Sequence, residues 1–189
     1  MAQFVCPWWA GYLLASPIRR FSQKPEEILR PYVWSGMTVL EPGPGMGFFT
    51  LPLAQMIGDS GRVIAVDIQP RMLSTLRRRA AKAGLAQRIE TRQALPDSLG
   101  VADLAGIVDL VFAFAVVHEM PSAEGFFSEA AAVLKPEGRV LFVEPSGHVS
   151  AERFGEELAA ARKCGLVEVD RLNVPRSQAA LLARGAAGD

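Results

Sequence analysis

Glu41, three alternating glycines and Asp67 are the positions in this chain whose types and spacing could hold a ligand. Gly43, Gly45 and Gly47 stand in Val39-Leu40-Glu41-Pro42-Gly43-Pro44-Gly45-Met46-Gly47, where an apolar strand is expected to turn into a helix. Glycine clears side chains from such a turn, so a ligand can lie directly against backbone. The helix expected over Phe48 to Ile57 would face it with its positive end. Asp67 closes a second apolar run, Val63-Ile64-Ala65-Val66-Asp67, twenty positions after Gly47. A carboxylate at that strand end is placed to accept both hydroxyls of a ribose. The pair predicts a nucleoside-cofactor site. A dinucleotide turn would want a small third residue, three places after Gly45, and there the chain has bulky Phe48, which disfavours a nicotinamide oxidoreductase.

These residues need a scaffold that sets two strand ends side by side. Strands are expected at about Thr38 to Glu41, Val63 to Asp67, Ile89 to Arg92, Val108 to Phe114 and Arg139 to Glu144. Two more close the chain, near Val167 to Val174 and Ala179 to Ala183. A helix should start at Pro25-Glu26-Glu27. Others should run from Pro70 to Ala83, stopped by Gly84, from Ser122 to Leu134, and from Ser150 to Lys163. Lys135-Pro136-Glu137-Gly138 reads as a turn. The fourth strand is almost wholly apolar, as when helices cover both faces of a parallel sheet. The alternation predicts an α/β fold, an open sheet doubly wound by helices with right-handed crossovers. Ligands in such sheets bind outside the carboxyl ends of the strands at the switch point, where Gly43 and Asp67 fall.

The pattern E-x-G-x-G-x-G at Glu41 to Gly47 resembles motif I of the class I S-adenosylmethionine (SAM) dependent methyltransferases, in particular their type 11/25-like members. The resemblance covers about Gly36 to Arg184. Lys135 to Pro145 looks like the family's Leu-Lys-Pro-Gly-Gly turn and fifth strand, and Ser177 to Arg184 like its last strand. It implies a Rossmann-like seven-stranded sheet in the order 3-2-1-4-5-7-6, with the last strand inserted antiparallel. It also implies SAM as cofactor and methyl transfer as the activity. By the same likeness Glu41 would orient the methionine end of SAM, Asp67 would take the ribose diol and Ile68 would lie against the adenine. Gln93-Ala94 stands where the family often has Asp-Ala, so Gln93 would offer an uncharged amide oxygen to the adenine amino group. Ala113 or Phe114 would offer a backbone carbonyl to the methionine ammonium.

On the acceptor side, His118-Glu119 follows the fourth strand, and an imidazole there could take a proton as a hydroxyl or amine is methylated. Packing or helix capping is the alternative for His118, and His148 is a weaker candidate of the same kind. Many such transfers need no base, because positioning against an electrophilic sulfonium supplies much of the rate. The aromatic segment Phe4 to Ala15 suggests residues 1–35 as a helical lid ahead of a SAM-binding domain at 36–185. A dimer surface and a patch touching membrane are its rivals.

At 189 residues one domain is expected, burying roughly 70% of its unfolded surface. Twenty basic against twenty acidic residues argue against broad binding to nucleic acid, and the Arg71 to Lys82 cluster reads as a solvated helix face. Two remote cysteines, Cys6 and Cys164, indicate neither a disulfide nor a metal site, and fit a cytoplasmic protein. They also fall short of a thiol set for arsenic. No Asn-Pro-Pro-aromatic or Pro-Cys motif marks a base methylase. The expected acceptor is a small or lipid-like molecule. A non-catalytic SAM-binding or scaffolding module is the other reading.

Overall fold

The computed structural model of the chain describes residues 24–185. The expected N-terminal lid therefore lies mostly outside the described residues, as do residues 186–189. In chain order the elements are α1 (Pro25–Leu29), β1 (Thr38–Pro42), α2 (Thr50–Met56), β2 (Arg62–Asp67), α3 (Pro70–Lys82) and β3 (Ile89–Gln93). Then follow β4 (Val108–Phe114), α4 (Ala123–Val133), β5 (Leu134–Pro145), α5 (Ala151–Lys163), β6 (Leu166–Arg171) and β7 (Ser177–Arg184). The strands form one sheet in the order β3-β2-β1-β4-β5-β7-β6, as expected. The first five run parallel, and β7 lies antiparallel to both β5 and β6.

Alternate residues of the central strands point to opposite faces, and both faces are apolar, so helices must cover both. Leu40, Ile64, Val111 and Phe142 pack in one layer with Phe126 and Phe127 of α4 and Phe154 of α5. Val39, Val63, Leu110, Phe112 and Leu141 pack in the other with Leu53 and Ala54 of α2. Ser122 and Ser150 cap α4 and α5, each accepting a backbone N–H three residues on, at 3.0 and 3.2 Å.

Three local expectations are corrected. The Lys135-Gly138 turn is part of β5: Val108 pairs with Leu134 and Leu110 with Arg139, so the extra residues are taken up as an irregularity. Lys135 is held there by Asp109, at 2.6 Å. The strand expected to reach Val174 ends at Arg171, and β7 starts earlier, at Ser177, after a left-handed Arg176 (φ 57°). Finally α2 begins only at Thr50, after a turn in which the Gly47 N–H donates to the Pro44 carbonyl at 2.9 Å. The loop is therefore separated from the helix end that was expected to abut it. No helix among the described residues is long and apolar enough to cross a membrane.

Candidate active site

The elbow after β1 is bare for separate reasons at each glycine. Gly43 (φ 67°) is crossed by Val116, whose Cγ2 would lie 2.7 Å from an added Cβ. Gly47 (φ 87°) is crossed from α3, with Leu76 Cδ1 at 2.5 Å from the same hypothetical atom. A Cβ on Gly45 would meet nothing within 4 Å, so this glycine leaves backbone open to the cleft. Arg79 of α3 reaches back to the Met46 carbonyl and holds the elbow from the other side. Gly47→Ala combines a left-handed backbone with a clash against a buried leucine, and is expected to cost about 1–3 kcal/mol of stability. A urea titration without ligand checks this; an unchanged midpoint would mean that Leu76 yields freely.

Asp67 ends β2 directly across from the elbow and is nearly buried, at 8% exposure. Its Oδ2 accepts from the Gly45 N–H at 3.3 Å and its Oδ1 from the Gln69 N–H at 2.8 Å. Burial pushes its pKa up to about 6, against the lowering effect of those two N–H groups, so the carboxylate is charged at neutral pH with acceptor capacity to spare. Glu41, one strand over, is 3% exposed, and burial pushes it up to about 8. The adjacent Thr50 hydroxyl offsets part of that rise and the Asp67 charge adds to it. Yet Glu41 Oε2 and Thr50 Oγ1 have no hydrogen-bond partner of normal geometry. An unsatisfied buried oxygen is costly, and a cation or donor from a ligand would satisfy it.

Together these residues rim a cleft of about 530 Å³. Glu41, Gly43, Gly45, Asp67, Ile68 and Ala94 line it, as do His118, Glu119 and His148. Three residues singled out in the sequence do not. Gly47 serves the packing against Leu76, Gln93 is exposed at the tip of β3, and the Ala113 side chain is sealed in the core. Phe114 and Ala115, the latter in a left-handed conformation (φ 55°), take the wall position expected near Ala113. Sequence reasoning passed over Glu129 of α4, which accepts from the Leu99 N–H and the Ser98 hydroxyl at 3.1 Å and so holds the loop after β3 against the cleft. It also passed over Glu144, at the end of β5, whose Oε2 lies 2.6 Å from His118 Nδ1.

The charge of the lining discriminates among ligands. Five carboxylates, Glu41, Asp67, Asp97, Glu119 and Glu129, face the cleft, and no lysine or arginine does among the described residues. A pyrophosphate would meet carboxylates and no lysine or arginine there, whereas a cationic ligand is favoured.

Residues 40–142, more than half of the chain, match the family described as a methyltransferase domain, and the chain belongs to that family. An arsenite methyltransferase of Halobacterium salinarum is 39% identical over 105 residues, which are 56% of this chain and 26% of that protein. A ubiquinone/menaquinone biosynthesis C-methyltransferase of an Enterobacter species is 31% identical over 109 residues, 58% of this chain and 43% of that protein. The chain thus spans less than half the length of these relatives. A solved SAM-dependent methyltransferase from Aquifex aeolicus has the same fold, with a TM-score of 0.84 at 23% identity over 96% of this chain and 100% of that one. The fold is that of the class I SAM-dependent methyltransferases, and SAM is the cofactor that goes with it.

The residues present fit SAM. An ammonium would satisfy the unpartnered Glu41 oxygen, a sulfonium suits a lining without lysine or arginine, and SAM brings no phosphate for the elbow to cradle.

Proposed function

We propose that this chain transfers a methyl group from SAM to a small-molecule or lipid-like acceptor held in the cleft. The observation that carries the reading is the buried Glu41 with its free oxygen, facing Asp67 across an open glycine elbow in a cleft lined by carboxylates. Asp67 accepts the ribose hydroxyls, Glu41 holds the ammonium, and Ile68 and Ala94 flank the adenine. Bound SAM supplies an electrophilic methyl on sulfur. The chain's part is to fix the attacking atom in line with it and to keep water out, and much of the acceleration comes from that positioning. Phe48, Phe114 and Pro145 form an apolar wall suited to the task.

The relatives are named for arsenite and for ubiquinone/menaquinone biosynthesis. Cys164, the one cysteine among the described residues, donates to the Glu124 carbonyl at 3.3 Å and does not line the cleft. A carbon skeleton is therefore the better-supported acceptor. Calorimetry is expected to show SAM and S-adenosylhomocysteine binding in the micromolar range with NADH inert, and methyl transfer should then follow on a panel of organic acceptors. Binding without any transfer would make the chain a SAM-binding module; NADH binding with SAM inert would overturn the reading.

A further inference from the structure

Beyond the cofactor residues, the cleft carries a histidine whose second nitrogen is fixed by the fold. Nδ1 of His118 lies 2.6 Å from Oε2 of Glu144, a wholly buried carboxyl. The other oxygen of Glu144 accepts the backbone N–H groups of Val117, at 2.8 Å, and His118, at 3.2 Å. An ionised Glu144 can only accept, so beside it Nδ1 carries the proton and Nε2 is the nitrogen left to take one. The histidine is anchored a third time by Arg153 of α5, whose guanidinium donates to the His118 carbonyl at 3.1 Å and sits 3.4 Å from Glu157 Oε1. So elaborate a mount is unnecessary for a packing or capping residue, and the ring it holds lines the cleft beside Phe114, Ala115 and Pro145.

We propose that the acceptor is an uncharged, weakly acidic hydroxyl of the phenol or enol kind on an apolar skeleton, and that His118, positioned by Glu144, takes its proton. The proposal rests on the methyl-transfer reading and narrows it. An oxygen lone pair forms the new O–C bond to the methyl carbon as the S–C bond breaks and its electron pair returns to sulfur. The O–H proton passes to Nε2, leaving a methyl ether, a neutral thioether and an imidazolium that Glu144 stabilises. A hydroxyl gains acidity as that O–C bond forms, so a base beside it speeds the step. An amine attacks through its own lone pair and sheds its proton afterwards, so it gains little. Carboxylate and phosphate acceptors would face the carboxylates of the lining, with no lysine or arginine there to meet them.

The pH dependence follows from every charged group around the ring. Glu144 from β5 raises the His118 pKa above its ordinary 6.5, and Glu119, 4.0 Å from Nε2, and Glu157 from α5 add to this, against the burial that lowers it. Arg153 pairs with Glu157 at 3.4 Å and lowers that carboxyl's pKa, and the His148 ring stands 5.8 Å away. Since the base must be neutral, the rate should climb as pH rises through that raised value. Glu157 is itself pushed up to about 7 and gains its charge over the same range, which broadens the limb.

The test measures methylation of catechol, a 4-alkylphenol and an acyclic 1,3-diketone against benzylamine and benzoate, from pH 5.5 to 9, with SAM binding followed by calorimetry in parallel. Hydroxyl acceptors should be methylated and benzoate should not. His118→Gln should lower kcat by about 100- to 10,000-fold with SAM affinity unchanged. Glu144→Gln should lower kcat by roughly 10- to 100-fold and move the rising limb to lower pH, because the imidazolium loses its charged partner. Should that variant fail to fold, imidazole 15N signals of the wild-type protein decide, since Nδ1 must carry the proton in the neutral ring. The proposal is overturned if SAM binds but none of the three hydroxyl compounds is methylated, if benzylamine is preferred, if His118→Gln keeps its rate, or if Nε2 carries the proton. Loss of SAM binding by the wild-type protein would instead sink the broader reading.

Discussion

Replacing Asp67 with alanine is expected to weaken SAM binding by about 100-fold or more. The estimate takes roughly 1.5–3 kcal/mol for each hydrogen bond to a charged group, and in the proposed complex two ribose hydroxyls would donate to this carboxylate. Asp67 is nearly buried and charged at neutral pH, so those bonds form in a poorly screened setting. The variant also strips the Gly45 and Gln69 N–H groups of their acceptor, loosening the elbow and the start of α3 together. Asp67→Asn separates the two effects. Its amide oxygen can still accept from Gln69, but its NH2 opposes the Gly45 N–H and cannot accept from a hydroxyl. Its affinity should fall by about 10- to 100-fold with little change in the melting midpoint. Calorimetry with SAM and thermal unfolding without it check both variants. A loss of less than threefold for Asp67→Ala would remove this residue from the cofactor site.

That prediction could be framed from the sequence because its parts are local. The elbow and Asp67 lie at the ends of two short β-branched strands, and the sheet that joins them follows from alternating apolar runs and helices with little freedom in handedness. The partnership between His118 and Glu144 was not legible in the same way. The two are 26 positions apart and meet only because β4 pairs with β5 at Phe114–Val143, so that the turn just beyond β4 converges on Glu144 near the end of β5. Glu129 is hidden for a similar reason: on α4 it reads as an ordinary polar position, and only the fold brings the loop of Ser98 and Leu99 to it. Gln93 illustrates the opposite failure. A position transferred from the family pattern is exposed here, and the adjoining Ala94 is the one that faces the cleft. In sequence Arg79 reads as part of a solvated face, yet helix geometry turns it toward the elbow while Arg71, Arg77 and Arg78 stay exposed.

SAM binding is further expected to release a proton from Glu41. With no ligand, this carboxyl is pushed from its ordinary 4.5 up to about 8 by burial, so it is mostly protonated at pH 7. A cation placed against its free oxygen favours the charged form, drives the pKa down and expels the proton. Affinity for SAM should therefore rise with pH up to about 8 and level off above it. The ligand-free stability runs the other way. Glu41, Asp67 (about 6) and Glu157 (about 7) all hold protons more tightly folded than unfolded, so the native state binds more protons and stability falls as pH climbs from 4.5 toward 8. At about 1.4 kcal/mol per pH unit, the Glu41 contribution alone is on the order of 5 kcal/mol across that window. Glu41→Gln removes the titration: the ligand-free protein should be more stable than wild type at pH 8, nearly equal at pH 5, and weaker for SAM by about 10- to 100-fold. Calorimetry in buffers of different ionisation enthalpy reads the proton directly. A binding enthalpy independent of buffer at pH 7, together with a ligand-free stability that does fall from pH 4.5 toward 8, would mean that Glu41 keeps its proton in the complex, and the assignment of its free oxygen to the ammonium would fall.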